Sequence, residues 1–470
     1  MVKNSLYNAL ITISGPLINL LSIPIATRAL GVTAFGDASM TLSVIAYFSI
    51  VASLGLSVYG TRELARVKAD SANRNRVFSE LLFVSIAGCV VTSLGYAFVA
   101  IYFLHEPIER VCVGLLILLF AFLNIEWLYY AVEKFSSIAY RTIVSRLIAL
   151  LFVYSFVHTP SDLLWYVVAM GLSNLLPSFI VFLNYQKHVR LTWTGLDLKR
   201  HLRSLFSFLS IRISSSIYAT LDIALVGYLI GASTAGAYAI AIRVVRIVAG
   251  VVCSTTAVAM PRASVLIGRS DKKGYSELLV NVLIGSTILS TVTAIFVFLF
   301  SQEIVRFLSG PSYGDAIGVL KVLALIVPIV ALSNFVGMQI LYPNNREKTV
   351  ATSLVIGSLF CVLAMPYFST NYGLVGAGAT ILLVELFILI VQLIGLRGII
   401  ENIFADEISR MLRVLFVTLI MYSLAFIVGI SVVPKGLGAT IFWYALLLIA
   451  YGLGLLAIKE PLLQKALSKI

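Results

Sequence analysis

Arginine side chains lie inside several long apolar segments of the chain, where a charged group is costly. Arg146, Arg212, Arg243 and Arg246 all occupy such positions. Inserting one guanidinium at the centre of a bilayer costs about 2.5–3.5 kcal/mol, so each of these residues needs an acidic partner or a water-filled cavity. Arg243 and Arg246 stand three positions apart, which places them on one face of a helix. Two like charges on one face repel each other unless an anion lies between them, so this pair is the strongest candidate for an anion site.

Carboxylates inside the apolar segments are fewer than the bases, and they are Glu126, Asp222 and Glu385. We expect Asp222 to pair with Arg243 or Arg246, and Glu126 to pair with Arg146. The remaining positive charge predicts a cationic, water-filled cavity that binds an anion. A large anion such as a phosphate-bearing lipid fits best, because the charge is spread over both halves of the chain. The alternative is that every arginine is salt-bridged or reaches the membrane interface, and the sequence leaves it open.

The elements that must hold these residues are membrane-spanning helices. The chain has 470 residues, of which 60% are hydrophobic and only 12% charged, whereas soluble proteins carry about 25% charged residues. A soluble enzyme is therefore excluded, and apolar segments of about 20 residues favour helices over the shorter strands of a barrel. We predict an all-α polytopic membrane protein with fourteen transmembrane helices, at about 5–28, 38–60, 77–104, 111–132, 137–157, 162–185, 205–230, 237–262, 277–300, 317–341, 349–367, 374–394, 411–431 and 438–458.

Lysine and arginine residues are distributed unequally between the two sides of these predicted helices. If the N-terminus is cytoplasmic, the cytoplasmic segments hold twenty-three of them and the outer segments hold four. Cytoplasmic loops are rich in Lys and Arg, so both termini are predicted to be cytoplasmic. The net charge of +13 has the same origin, and no nucleic-acid partner is implied.

A repeated glycine spacing indicates an internal duplication. Gly31 and Gly36 follow the first predicted helix, and Gly231 and Gly236 follow the seventh, 200 residues later. The spacing is not a phosphate-binding P-loop, because neither pair is followed by Lys or preceded by a strand. We expect tight outer turns, within two parallel repeats of six helices each. The predicted domains are an N-terminal lobe (1–185), a cytoplasmic inter-lobe loop (186–204), a C-terminal lobe (205–394), and a region with helices 13 and 14 and a cytoplasmic tail (395–470).

Other side chains indicate little chemistry. The four cysteines lie in apolar segments without a CxxC pair, and the histidines lie in loops, so we expect no metal site and no cofactor. Trp127, Tyr129 and Tyr130 fit a membrane-interface belt, with a sugar-stacking surface as the alternative. A membrane enzyme such as a polymerase is disfavoured, because the longest predicted outer loop, 301–316, is short.

Several short motifs resemble the polysaccharide transporters of the multidrug/oligosaccharidyl-lipid/polysaccharide (MOP) superfamily, which include the Wzx-like O-antigen flippases. They are Thr27-Arg28-Ala29-Leu30-Gly31, Phe35-Gly36 and Tyr59-Gly60-Thr61-Arg62 in the first half, and Asp222, Gly231, Gly236, Tyr238, Ala241 and Arg243 in the second. The resemblance implies a V-shaped arrangement of two pseudo-symmetric six-helix lobes plus two C-terminal helices. It also implies a flippase that moves an undecaprenyl-diphosphate-linked oligosaccharide to the outer leaflet of the bacterial cytoplasmic (inner) membrane by alternating access.

Family members also suggest residue roles and partners. The related lipid II flippases have functional arginines at positions that match Arg28 and Arg243, and Arg62 is a looser match. With Arg146, Arg212 and Arg246, these residues are expected to hold the diphosphate. Expected partners are the lipid-linked substrate, membrane lipids and other polysaccharide-assembly proteins. A cation-coupled small-molecule exporter and a lipid II flippase are the alternatives, and a coupling ion, either H+ or Na+, stays open.

Overall fold

The computed structural model describes residues 2–257, 259–269, 271–397, 408–429, 437–458 and 460–461. All regular structure in these ranges is helical, and no strand occurs in them. Eleven helical segments are long and apolar enough to cross a membrane. The predicted all-α, membrane-spanning class is therefore confirmed.

Two compact units divide the chain. The first contains residues 1–237 and 308–312, and the second contains 238–307 and 313–470. The helices before residue 231 are α1 (Val2–Ala52), α2 (Leu56–Arg66), α3 (Ser71–Tyr102), α4 (Ile108–Leu119), α5 (Glu126–Ala131), α6 (Phe135–Phe156), α7 (Leu163–Leu183), α8 (Lys199–Thr220) and α9 (Asp222–Ile230). The later helices are α10 (Ala232–Ala257), α11 (Met260–Gly268), α12 (Lys272–Leu299), α13 (Ser301–Ser309), α14 (Asp315–Ala324), α15 (Ile326–Phe335), α16 (Glu347–Ile394), α17 (Ile408–Ile427) and α18 (Leu437–Ala457).

These elements account for the fourteen predicted helices. Two of the eleven spans, Leu20–Arg66 and Glu347–Ile394, each join two predicted helices. Within them α1 bends at Gly31 (φ 71°) and α16 bends at Gly373 (φ 58°), where positive φ breaks the helical path. The predicted helix 205–230 corresponds to α8 and α9, which are not among the eleven.

The first compact unit is larger than the predicted N-terminal lobe. It includes α8, α9 and the start of α10, which the sequence analysis assigned to the second lobe. The reason is packing, because both α8 and α9 contact α1. The lobe limits 1–185 and 205–394 stay a prediction about the repeat, and the end of the C-terminal tail, 462–470, lies outside the described residues.

The paired glycines serve two purposes. Gly31 and Gly231 have positive φ values of 71° and 101°, so each interrupts a helix, as expected for a turn. Gly36 and Gly236 instead lie inside helices α1 and α10, where their backbones meet. A Cβ atom on Gly36 would overlap the carbonyl oxygen of Ala232 and lie 2.8 Å from the Gly236 nitrogen. The expectation of turns was therefore wrong for the second glycine of each pair, which permits close helix contact.

The segment between α7 and α8 is bonded to the start of α3. The amides of Arg190 and Thr192 donate to Asn75 Oδ1 and Ser79 Oγ, each over 2.9 Å. The Asp197 amide donates to Glu80 Oε1 over 2.8 Å. The predicted loop 186–204 is thus docked on a helix, and α8 begins within it at Lys199.

Glu80 is the centre of this docking contact, with no exposed surface. Besides the Asp197 amide, its carboxylate accepts hydrogen bonds from Arg76 Nε (3.0 Å), from His201 Nε2 (2.9 Å) and from Arg200 Nη2. His201 Nδ1 lies 2.7 Å from the hydroxyl of Tyr59 on α2. Several donors stabilise one buried carboxylate, as a buried charge requires. Together with the contact between His201 and Tyr59, these hydrogen bonds join α2, α3 and α8.

Candidate functional site

The first unit brings two arginines to one carboxylate. Glu126 is the first residue of α5, just after a break at 124–125 that follows α4 and a 3-10 turn. It interacts electrostatically with both Arg141 and Arg146 on α6. Because one carboxylate balances one charge, these three residues carry a net positive charge within membrane-spanning segments.

Arg146 lies against the first helix. Its guanidinium atoms are 3.1–3.2 Å from the position that a Cβ atom on Gly15 would take. Gly15 thus leaves the space that the guanidinium occupies, and any larger side chain there would displace it. The predicted site residue Arg146 is therefore held between α1 and Glu126.

Arg141 is the functional candidate that the sequence analysis missed. It was assigned to a cytoplasmic segment, but only 7% of its surface is exposed and it lies within the span Ile138–Phe156. Its guanidinium carbon lies 4.6 Å from the centroid of the Tyr129 ring, a cation–π contact. The signal that could have found it is the predicted helix 137–157, which contains Arg141 although the charge count treated the residue as cytoplasmic.

The aromatic residues near Arg141 are interior. Trp127 and Tyr129 are buried, and both belong to a hydrophobic cluster formed by α2, α3 and α5. The Tyr129 hydroxyl donates to the carbonyl oxygen of Val181 over 3.1 Å. These two residues are therefore not part of an interface belt, and Tyr129 instead fixes the position of Arg141.

The second unit has a charged pair inside its membrane-spanning helices. Arg246 on α10 interacts electrostatically with Glu385 on α16, and Glu385 is only 8% exposed. Arg243 stands one turn before Arg246 on the same helix, and both are half-buried. Arg243, Arg246 and Glu385 all lie within membrane-spanning segments of the second unit.

Neutral polar side chains form a hydrogen-bonded group on and beside α16, the helix that carries Glu385. Gln392, two turns further along α16, accepts from Ser333 Oγ (3.2 Å) and donates to Ser353 Oγ (3.3 Å). Near it, the 336–341 segment adopts a π-helical turn, a distortion found frequently at functional sites. Uncharged residues of this kind carry no signal in a charge count, so the sequence analysis did not identify them.

The other predicted residues occupy separate places. Arg28 is exposed near the bend of α1, and Arg62 is exposed on α2, where it pairs with Glu63 (3.4 Å). Asp222 is fully buried at the start of α9. Arg212 lies on α8, and its side chain is outside the described part of the chain. The assignment of the three arginines to an anion site, and of Asp222 as a charge partner of Arg243 or Arg246, therefore stays a prediction.

A cavity of about 360 Å³ in the second unit is distinct from the charged groups. Its walls come mainly from α12 and α17 and include Phe298, Tyr422 and Phe426. The lining is almost entirely apolar, so this cavity suits hydrocarbon and not a sugar or a phosphate.

The helices and their apolar lengths define an integral membrane protein of the all-α class. The structure is similar to that of lipid II flippase MurJ in an inward closed conformation, with a TM-score of 0.71 and 14% identity. The match covers 99% of this chain and 100% of the MurJ chain. The structure is also similar to an inward-facing multidrug resistance MATE family transporter of the MOP superfamily, over 85% of this chain and 99% of that one. That match has a TM-score of 0.62 and 15% identity.

Sequence comparison gives the family. The model of the family described as "Polysaccharide biosynthesis protein" matches residues 1–267, more than half of the chain, and the chain belongs to this family. The MatE family model matches residues 209–368. The relatives include proteins named "Putative O-antigen transporter" from Escherichia coli (strain K12) and Shigella dysenteriae. The Escherichia coli protein is 24% identical over 409 residues, which cover 84% of this chain and 96% of that protein. The Shigella dysenteriae protein is 22% identical over 399 residues, which cover 84% of this chain and 99% of that protein.

Proposed function

We propose that the chain is a flippase that moves a polyprenyl-diphosphate-linked oligosaccharide, such as an O-antigen repeat unit, across the bacterial cytoplasmic membrane. Its family, the names of its relatives and its fold support a transporter and not an enzyme. The observation that carries the choice of an anionic substrate is the charged group of the first unit, where two arginines within a membrane-spanning helix share one carboxylate. Arg141 and Arg146 share Glu126, and Arg246 interacts with Glu385.

Transport proceeds from the inner to the outer leaflet by alternating access. The Lys and Arg distribution predicts that both termini are cytoplasmic, and the lipid-linked substrate enters from the leaflet on that side. Guanidinium groups bind phosphate through several donors at a fixed geometry. They replace the water that the diphosphate loses in the membrane, while the polyprenyl chain stays in lipid. Arg28, Arg243 and Arg246 are assigned to the diphosphate together with Arg146.

A second candidate is a cation-coupled exporter of small molecules. The MatE match over residues 209–368 favours it, as does the buried Glu385, because carboxylates inside membranes serve as proton or ion relays. Lipid II is a rival substrate for the flippase itself, in view of the fold shared with MurJ. An exporter would need Glu385 for drug resistance, whereas the flippase needs the arginines for glycan export.

Complementation of a strain that lacks its O-antigen flippase tests the proposal. The strain must carry the glycosyltransferases that make this protein's own repeat unit. We expect Arg243→Ala and Arg246→Ala to abolish surface glycan while the protein still accumulates in the membrane. Arg269→Ala, which removes an exposed arginine outside the spans, is the matched control and should export normally. Full export by both the Arg243 and the Arg246 variants would remove these residues from the site, and no export by the wild-type chain would refute the flippase.

A further inference from the structure

One face of α6 presents polar atoms that have no bonding partner. Arg141 and Ser145 stand four positions apart, so they lie one above the other on the helix. Their exposed fractions are 7% and 0%. Among the residues that the structure describes, Arg141 Nε, Arg141 Nη2 and Ser145 Oγ make no hydrogen bond. Buried polar atoms are bonded in the great majority of cases, and an exception calls for an explanation such as a missing ligand.

The chemistry of these atoms restricts the ligand. A guanidinium only donates hydrogen bonds, and a serine hydroxyl is able to donate one more. The partner must therefore be an acceptor, and the positive charge of Arg141 favours an anion. Arg forks match the oxygen geometry of phosphate and carboxylate groups.

The guanidinium of Arg141 is held in place before any ligand arrives. Its carbon lies 4.6 Å from the centroid of the Tyr129 ring, and Tyr129 is itself fixed by its hydrogen bond to Val181. Glu126 does not neutralise the group, because it interacts with Arg146 as well as with Arg141. A fixed donor with a surplus charge is the arrangement that binds an anion with little reorganisation.

We propose that Arg141 and Ser145 form a phosphate subsite in the first unit, which receives one phosphoryl group of the lipid-linked diphosphate. The proposal rests on the proposed function and deepens it. It assigns to the substrate an arginine that the charge count placed outside the membrane. A phospholipid head group presents the same chemistry, and the experiment separates the two sources.

Binding to purified protein in nanodiscs tests the subsite. The probes are undecaprenyl diphosphate without sugar, undecaprenyl monophosphate, and nanodiscs with or without phosphatidylglycerol. We expect Arg141→Gln to weaken undecaprenyl diphosphate binding ten- to a hundredfold, because charge-assisted bonds to a buried guanidinium are lost. Ser145→Ala should weaken it less, about three- to tenfold, and Arg141→Lys should restore only part of the affinity. Arg269→Gln is the control and should bind as the wild type does.

Thermal melting separates a ligand site from a structural role. In the absence of probe, Arg141→Gln should melt at the wild-type temperature or above it, because the change removes a buried charge without full hydrogen bonding. A clearly lower melting temperature together with unchanged binding would show a structural arginine and overturn the subsite. Binding that depends on phosphatidylglycerol but not on the diphosphate would overturn the assignment to the substrate. Wild-type protein that binds neither polyprenyl phosphate would refute the proposed function itself, whereas wild-type binding that Arg141→Gln leaves intact refutes only the subsite.

Discussion

Replacing Glu80 by Gln should release the segment between α7 and α8 from α3. Glu80 has no exposed surface and accepts from Arg76, Arg200, His201 and the Asp197 amide. The amide of Gln keeps one acceptor oxygen and turns an NH2 group towards these donors. Hydrogen bonds to a charged group contribute about 1.5–3 kcal/mol each. The two arginines are about 40% exposed and regain water, so we expect a net loss of about 2 kcal/mol.

Hydrogen–deuterium exchange of the detergent-solubilised protein measures this loss directly. A loss of about 2 kcal/mol corresponds to about thirtyfold faster exchange. The effect should be largest at the Asp197 amide, which bonds Glu80 itself, and smaller at Thr192, which bonds Ser79. Glu133→Gln is the matched control, because Glu133 is 66% exposed and pairs with the surface Lys68. Unchanged exchange across 190–198 in Glu80→Gln would show that the carboxylate does not hold the segment and would refute this reasoning.

Two further predictions concern helix contact and acid sensitivity. Gly236→Ala should lower the melting temperature and reduce export, because its methyl group would overlap the carbonyl oxygen of Val32. Gly250→Ala is the control and should change neither property, because a Cβ atom there meets nothing within 4 Å. Equal behaviour of the two variants would contradict the close contact at Gly236. Burial, followed by the nearby charge of Lys134, lowers the pKa of His188 from its ordinary value of 6.5. The unfolded chain therefore binds a proton first as the pH falls below 6.5, so stability decreases with acidification. His188→Gln should lose less melting temperature between pH 7.5 and 5.5 than the wild type, and an equal loss would exclude His188 as a cause.

Sequence patterns predicted the class and the helices well, because long apolar segments and loop charges report directly on a bilayer. The breaks at Gly31 and Gly373 fall between predicted helices, as expected. The patterns did not show that Gly36 and Gly236 lie inside helices α1 and α10. The docked linker was also missed, since its bonds to Asn75, Ser79 and Glu80 depend on contacts between residues more than 100 positions apart.

The charged groups of the two units were predicted in part. Counting charges located Arg146, Arg246, Glu126 and Glu385, because each is rare in an apolar context. The same count put Arg141 in a cytoplasmic segment, as its position near a predicted helix end resembles that of an interface residue. Only the packing of α6 shows that this side chain is buried and lies over an aromatic ring.

The docked linker has a consequence for how the second half of the chain could move. Three amides between Arg190 and Asp197 are hydrogen-bonded to α3. These bonds restrict movement of the segment relative to α3. The next interruption along the chain is at Leu221, between α8 and α9. Any bending that follows the linker is therefore expected there, within the predicted helix 205–230. A spin-label pair placed across Leu221 would register it, while a pair across the linker would stay at a constant separation.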